Sequence, residues 1–433
     1  MDSYKVRQKV SCTQAPHHGT FESAMRILHL ADVHLDTSFS GRSPRVRDRL
    51  RRAVRESFRG AVDLALDRRV HVVLIAGDLF DGVRLSFESE RFLVQELGRL
   101  AAAGIPVVYA TGNHDPGSSR RRHISWPEGV TVVSDPVPRR IEIRDPDGGV
   151  VGWVTAAGHA SSRETRDLAA AFPAPSGGLP EVALLHAQVV DSRDADAHEP
   201  YAPTSRKTLV ERGFDYWALG HVHLRQVLSD LPGIHYPGNI QGRTLRETGP
   251  KGALIAEVAR GFLPQVEFVS LAPVRWEDLE VEDIGDAGTV EALTRGIRDR
   301  WRAARTVDPD PGREWMVRVR LSGPSPLWSE LADEEDRAHL ARELEETLGA
   351  LEVTLETLGV HPPVDLEEHR GREDVLGVAL RLLEEVRDGR TSLPHLATEL
   401  AAGPDDDALA GYLAELLDGA EGELASRLLD REG

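Results

Sequence analysis

From residue 25 to residue 271, short β-branched runs alternate with polar turns and a few helical stretches, the pattern of one layered α/β unit. Strands are expected at Arg26–Ala31, His71–Ala76, Pro106–Ala110, Val130–Ser134, Arg140–Arg144, Val150–Ala156, Val182–His186, Tyr216–Leu219, Gly252–Val258 and Gln265–Leu271. Between the first two, Val46, Leu50, Val54, Phe58, Val62 and Leu66 recur every four residues, which puts them on one buried face of a helix. So many strands interleaved with helices predict sheet covered by helices. A second α/β unit, residues 272–363, reads as a small cap: helix Val290–Ala304, strand Trp315–Leu321, helix Glu334–Leu348 and strand Leu351–Leu355, punctuated by Asp308-Pro-Asp-Pro-Gly312 and Gly323-Pro-Ser-Pro326. Residues 364–433 carry helical apolar spacing at Val375, Val378, Leu382, Leu383 and Val386, and again at Leu409, Tyr412, Leu413, Leu416 and Leu417. Such an end is either a small helical bundle or a docking handle.

A chain of 433 residues exceeds what one hydrophobic core usually supports, in keeping with this division. Apolar residues make up 40% and charged residues 28%, the balance of a soluble globular protein, and no apolar run is long enough to span a bilayer. Residues 1–24 lack the apolar segment and cleavage site of a secretory signal, so they read as a disordered extension, with Met25 an alternative start and a cytoplasmic location expected. The single cysteine, Cys12, excludes a disulfide framework and a thiolate metal cluster. Any metal chemistry therefore has to use His, Asp and Asn.

The net charge of −19 argues at first against a nucleic-acid partner. It is unevenly spread: from Asp365 onward 18 acidic residues face 7 Arg and no Lys, a net of −11 that leaves −8 for the rest. With only four lysines in the chain (Lys5, Lys9, Lys207 and Lys251), its many arginines fit codon bias, and arginine content alone is no sign of DNA.

Five segments repeat one pattern, an apolar strand running into a turn that carries metal-ligand residues. They are Leu30-Ala-Asp32-Val-His34, Ala76-Gly-Asp78-Leu-Phe-Asp81, Thr111-Gly-Asn113-His114-Asp115, Leu185-His186-Ala187 and Leu219-Gly-His221-Val-His223. Singly each has a bland reading, since Gly-Asp is a turn and a lone histidine is more often structural than a ligand. Together they supply the oxygen and imidazole donors that two neighbouring divalent ions need. Asp32 and His34, two apart on an extended chain, are expected to point the same way, as are His221 and His223. Gly77, Gly112 and Gly220 stand where the strands must turn and a ligand must approach the backbone.

This ordered set resembles the calcineurin-like metallophosphoesterases over residues 25 to about 270. The stretches His29-Leu-Ala-Asp-Val-His-Leu-Asp36, Gly77-Asp-Leu-Phe-Asp81, Tyr216-Trp-Ala-Leu-Gly-His-Val-His223 and Tyr236-Pro-Gly-Asn-Ile-Gln-Gly-Arg243 are similar to SbcD-type DNA repair exonucleases, most of all to their YhaO-like branch. The resemblance implies a four-layer αββα sandwich followed by a capping domain, here with a helical C-terminal tail. It implies two ions, manganese by preference, one held by Asp32, His34, Asp78 and His223 and the other by Asp78, Asn113, His186 and His221, with Asp78 as the bridge. His114 would contact the phosphate or protonate the leaving oxygen. DNA would be the substrate and an SbcC-like ATPase the partner, with the oligomeric state left open, a homodimer included.

Where many repair nucleases of this family have a histidine after Gly-Asp-Leu-Phe, this chain has Asp81, an anion that would repel phosphate unless it binds a cation or faces away. Arg120, Arg121 and Arg122, beside His123, and Arg243 are candidate phosphate contacts at the rim. Arg42, Arg45, Arg47, Arg49, Arg51, Arg52, Arg55 and Arg59 suit either a grip on DNA or the solvated face of an ordinary helix. Two other functions stay open: hydrolysis of a small nucleotide or phosphoprotein, and a weakly active subunit that chiefly binds an ATPase.

Overall fold

A computed structural model describes residues 24–82, 85–115, 124–193, 199–305, 312–388, 390, 417 and 420–429. Arg120, Arg121, Arg122, His123, Cys12 and the apolar run at Leu409, Tyr412, Leu413 and Leu416 lie outside these residues. None of the helices among them is long and apolar enough to cross a membrane.

Two six-stranded sheets face each other. The first has β1 (Met25–Leu30), β2 (Val72–Ala76), β3 (Val107–Ala110) and β4 (Val130–Val133) running parallel, with β11 (Gly252–Val258) antiparallel beside β1 and β12 (Gln265–Ser270) antiparallel beside β11. The second contains β5 (Arg139–Arg144), β6 (Val150–Ala157), β7 (Glu181–His186), β8 (Tyr216–Gly220), β10 (Gly233–Tyr236) and β9 (Gln226–Ser229) in that order, with β6, β7, β8 and β10 parallel. Central strands such as Val72–Ala76 are buried at every residue, as unbroken apolar runs require when both faces are covered. Ile27, Leu74, Val108, Val154, Leu184 and Ala218 fill the space between the sheets.

Helices close the outer faces. α1 (Pro44–Asp67) starts at Ser43, whose hydroxyl accepts from the Val46 amide, and it buries Leu50, Val54, Phe58 and Val62 against the first sheet. α2 (Phe87–Ala102), which the strand pattern does not single out, is capped in the same way by Ser86 and buries Phe92, Leu93, Leu97 and Leu100. α3 (Arg206–Glu211) covers the second sheet through Leu209. The result is the four-layer αββα sandwich.

Three parallel strands, β13 (Val274–Val281), β14 (Glu314–Pro324) and β15 (Glu352–His361), form the cap sheet. It is packed by α4 (Val290–Arg305), α5 (Trp328–Ala332) and α6 (Glu334–Leu348). β13 is absent from the strands expected of the sequence; its buried Val274, Trp276, Leu279 and Val281 are interrupted by acidic residues that blur the alternation. The chain then continues through α7 (Leu366–Arg370) and α8 (Val375–Arg387) to α9 (Ala420–Leu429), which lies against β15 and α8 with Leu376, Leu380 and Ala425 buried between them.

Arginines at the start of α1 and just before it join the sandwich to the cap. Arg42 pairs with Glu352 and lies 5.3 Å over the Trp276 ring, Arg45 donates to Leu351 O at 3.2 Å, and Arg49 pairs with Glu314 at 2.6 Å. Arg55 pairs with Glu88 and Arg59 with Glu96. These five residues each have a partner within the protein. At this junction Trp276 is buried in the first core and its indole N–H donates to Gly242 O at 2.7 Å. Trp276→Ala is expected to lower stability by about 3–5 kcal/mol, whereas Arg42→Ala, which breaks a partly exposed pair, costs less than about 1 kcal/mol. Denaturant unfolding of both variants checks the ranking.

Candidate metal centre

All five ligand-bearing turns follow the C-terminal ends of parallel strands, β1, β2 and β3 in one sheet and β7 and β8 in the other, so the two sheets deliver their side chains to one shared edge. The local geometry differs from the extended chain expected for Asp32 and His34. Asp32, His34 and Asp78 have φ of 50°, 50° and 49°, and His221 has φ of 107°, left-handed conformations that only a few side chains accept readily. The turned backbone aims amides inward: His221 N donates to Asp32 at 3.1 Å and His114 N to Asp78 Oδ1 at 2.9 Å. Loop 32–35 is stitched to loop 77–79 by Asp32 N to Gly77 O, His34 N to Asp78 O and Leu35 N to Leu79 O.

Asp32, His34 and His223 bring one donor atom each within 4.8 Å of one another, and Asp32, Asp78 and His186 do the same. Asp78 Oδ2 stands between the groups, 3.9 Å from His34 Nε2 and 3.4 Å from His186 Nε2. Asn113 Oδ1 is 2.9 Å from His186 Nε2. His221 comes in beside His186, ring centroids 5.2 Å apart, with its own Nε2 facing Glu199 O at 3.0 Å. A third group, His34, Asp81 and His114, overlaps the first.

The donors suit divalent ions. His34 Nε2 and His223 Nε2 face each other at 3.3 Å while each ring's Nδ1 faces a carboxylate, Asp81 at 3.1 Å and Glu247 at 2.7 Å. A carboxylate only accepts, so each Nδ1 carries the hydrogen and the two Nε2 lone pairs converge on one point. Two lone pairs do not bond to each other; a cation between them satisfies both. Burial pushes the Asp32 carboxyl up to about 8 and raises Asp78 well above the carboxylate range, with Asp115 and Asp32 adding to the latter, and it drives His34 and His186 well down. Such a dry cluster of neutral imidazoles and crowded acids gains most from positive charge placed among it.

Several supporting residues have no role that the motifs assign. Asp115 accepts from the amides of Asp78, Gly112 and Phe80, locking two ligand loops together. His29 crosses between the sheets, its ring nitrogens 3.1 Å from Tyr216 Oη and 3.0 Å from Leu219 O, and burial holds it down to about 3, so it stays neutral. His159 meets His186 O at 2.7 Å. Glu247 is held down despite its burial by the His223 hydrogen bond and by Arg243. Only their nearness to the motifs in sequence could have pointed to Asp115, two residues after Asn113, and to Glu247, four after Arg243.

Above the ligands lies an open cavity of about 400 Å³ bordered by His114, Tyr201, Arg243, Thr244 and Arg246. His114 has its side chain 41% exposed and its Nδ1 3.7 Å from Asp81. Gly77 has a φ of +84°, and a Cβ there would sit 2.3 Å from the His186 ring. Gly77→Ala is expected to displace His186 and remove at least one bound ion, which elemental analysis of the folded variant measures; two ions retained at full occupancy would contradict it.

A profile of the family described as "Calcineurin-like phosphoesterase" matches residues 25–225, and one described as "Metallophosphoesterase YhaO, middle domain" matches residues 276–362. The chain is 33% identical over 308 residues to "Uncharacterized metallophosphoesterase YhaO" of Bacillus subtilis, covering 70% of this chain and 73% of that one. It is 29% identical over 281 residues to "DNA double-strand break repair protein Mre11" of Aeropyrum pernix, covering 63% and 67%. It is 27% identical over 297 residues to a subunit of the nuclease SbcCD of Rhodobacter capsulatus, covering 56% and 68%.

Proposed function

Because the chain belongs to the calcineurin-like phosphoesterase family, in the company of YhaO, it is a metal-dependent phosphoesterase, and we propose that it hydrolyses phosphodiester bonds in DNA with two manganese ions. The observation that carries this reading is the pair of donor groups, Asp32–His34–His223 and Asp32–Asp78–His186, lying side by side under an open cavity. When bound, paired divalent ions activate a water for in-line attack and neutralise charge on the phosphate oxygens. In this reading Asp32, His34, Asp78 and His223 hold one ion and Asp78, Asn113, His186 and His221 the other. The position of Asp78 Oδ2 between His34 and His186 supports a bridging role.

His114 faces the cavity beside the ligands, where its imidazole can donate a proton to the leaving oxygen. Arg246 borders the same space and offers a cation for phosphate. DNA is favoured over a small diester because two relatives carry the names of a double-strand break repair protein and a component of a nuclease. The name of that nuclease component also supports an SbcC-like ATPase as partner, in the cytoplasm. α8 offers a surface for it, with Val375, Val378 and Leu382 exposed on the face opposite buried Leu376, Leu380 and Leu383.

The reading is tested with purified protein and Mn2+ on labelled single- and double-stranded DNA, beside bis-p-nitrophenyl phosphate. Hydrolysis of the small diester with neither DNA touched would overturn the substrate assignment. Asp78→Ala should abolish turnover and reduce metal content at both positions, and two ions retained by that variant would refute the bridge. His114→Ala should keep both ions and lose about a hundredfold to ten-thousandfold in rate; unchanged turnover would remove His114 from the chemistry.

A further inference from the structure

We propose that Asp81, Arg243 and Glu247 form one charged chain that orients the two histidines of a single ion, His34 and His223, and sets how tightly that ion is held, with Arg243 a positioning residue and not a substrate contact. The proposal rests on the ligand assignment above and adds the layer behind it.

Two carboxylates grip the two rings from behind. Asp81 Oδ1 is 3.1 Å from His34 Nδ1, and Glu247 Oε1 is 2.7 Å from His223 Nδ1. Each contact fixes the tautomer, turns the ring so that Nε2 faces inward, and makes that nitrogen a better donor by placing negative charge behind it. Arg243 joins the two. Its Nη1 lies 3.1 Å from the same Asp81 Oδ1, its Nε 3.7 Å from Glu247 Oε1, and its backbone N–H donates to Glu247 Oε2 at 2.6 Å. Asn239 Nδ2 donates to that second oxygen at 2.8 Å, so the Glu247 carboxylate is held on both sides.

The other two histidines are supported differently. His186 Nδ1 faces Ala76 O at 2.9 Å and His221 Nε2 faces Glu199 O at 3.0 Å, neutral carbonyls in both cases. A carbonyl fixes a ring as well as a carboxylate does, but it adds no charge. The centre is thus asymmetric, one half backed by two anions and a bridging cation, the other by peptide groups. The anion-backed half should bind its ion more tightly and fill first.

This arrangement also explains how an aspartate stands after Gly-Asp-Leu-Phe without repelling substrate. Its carboxylate is 18% exposed and shared between a ring N–H and a guanidinium, so little unpaired charge faces the cavity. Arg243 is only 16% exposed and lies between two carboxylates, a geometry suited to holding them in place.

The test uses the whole chain, stripped of metal and titrated with Mn2+ alone, with free Mn2+ followed by electron paramagnetic resonance. The unaltered chain should take up two ions in two classes. Asp81→Asn and Glu247→Gln keep shape and remove charge; each should weaken the tighter class by about tenfold to a hundredfold and leave the weaker class unchanged. Arg243→Met should move the same class. Unaltered Mn2+ binding in Asp81→Asn and Glu247→Gln would overturn the proposal, as would an Arg243→Met variant that keeps both classes and shows only a raised KM for a diester. If the unaltered chain bound fewer than two ions, the ligand assignment itself would fall. The two failures are therefore distinguishable.

Discussion

Two carboxylates kept from water at one point, Asp32 and Asp78, impose the constraint around which this molecule is arranged. Each is almost wholly buried, Asp78 feels Asp32, and Asp115 adds a third acid that acts on both. Charge in so dry a place has to be answered locally, because solvent is too far away to do it. Part of the answer is backbone: amides of His114 and His221 point at the ligand carboxylates, and amides of Asp78, Gly112 and Phe80 point at Asp115. The remainder suits divalent cations held by histidines from both sheets. The shared sheet edge, the glycines packed against ligand rings and the unusual backbone angles all serve to bring these groups together.

Much of this plan was legible in the sequence because ligand chemistry and strand endings coincide there. An apolar run stopping at Asp-x-His or Gly-Asp carries two independent signals at once, and five such coincidences point to both the fold and the candidate residues. The helix Glu334–Leu348 was equally plain: it is capped by Asp333, ended by the left-handed Gly349, and buries Leu340, Leu344 and Leu348 at four-residue spacing. What escaped reading lacked a second signal. Glu247 is one of many glutamates until folding brings it 2.7 Å from His223, and His29 acquires its partners Tyr216 and Leu219 only when the two sheets close. The left-handed angles of the ligand loops are not fixed by residue type, since Asp and His, though enriched at positive φ, adopt it in only a small share of cases.

The arginines show how composition misleads where geometry does not. A segment dense in Arg, next to a metal motif, invites assignment to nucleic acid. In the structure Arg42, just before α1, and Arg45 and Arg49 within it meet the cap, and Arg55 and Arg59 pair with α2.

The backbone at Asp32, His34, Asp78 and His221 also governs how this centre can change over generations. A long or β-branched replacement in a left-handed position meets a conformational cost of about 1–2 kcal/mol on top of the lost donor atom. Glycine relieves the backbone and loses the donor; asparagine keeps both in weakened form. Few single substitutions therefore lead from this arrangement to another that works, and ligands cannot drift between neighbouring positions as surface residues do. The centre is isolated in sequence space by the same turns that assemble it.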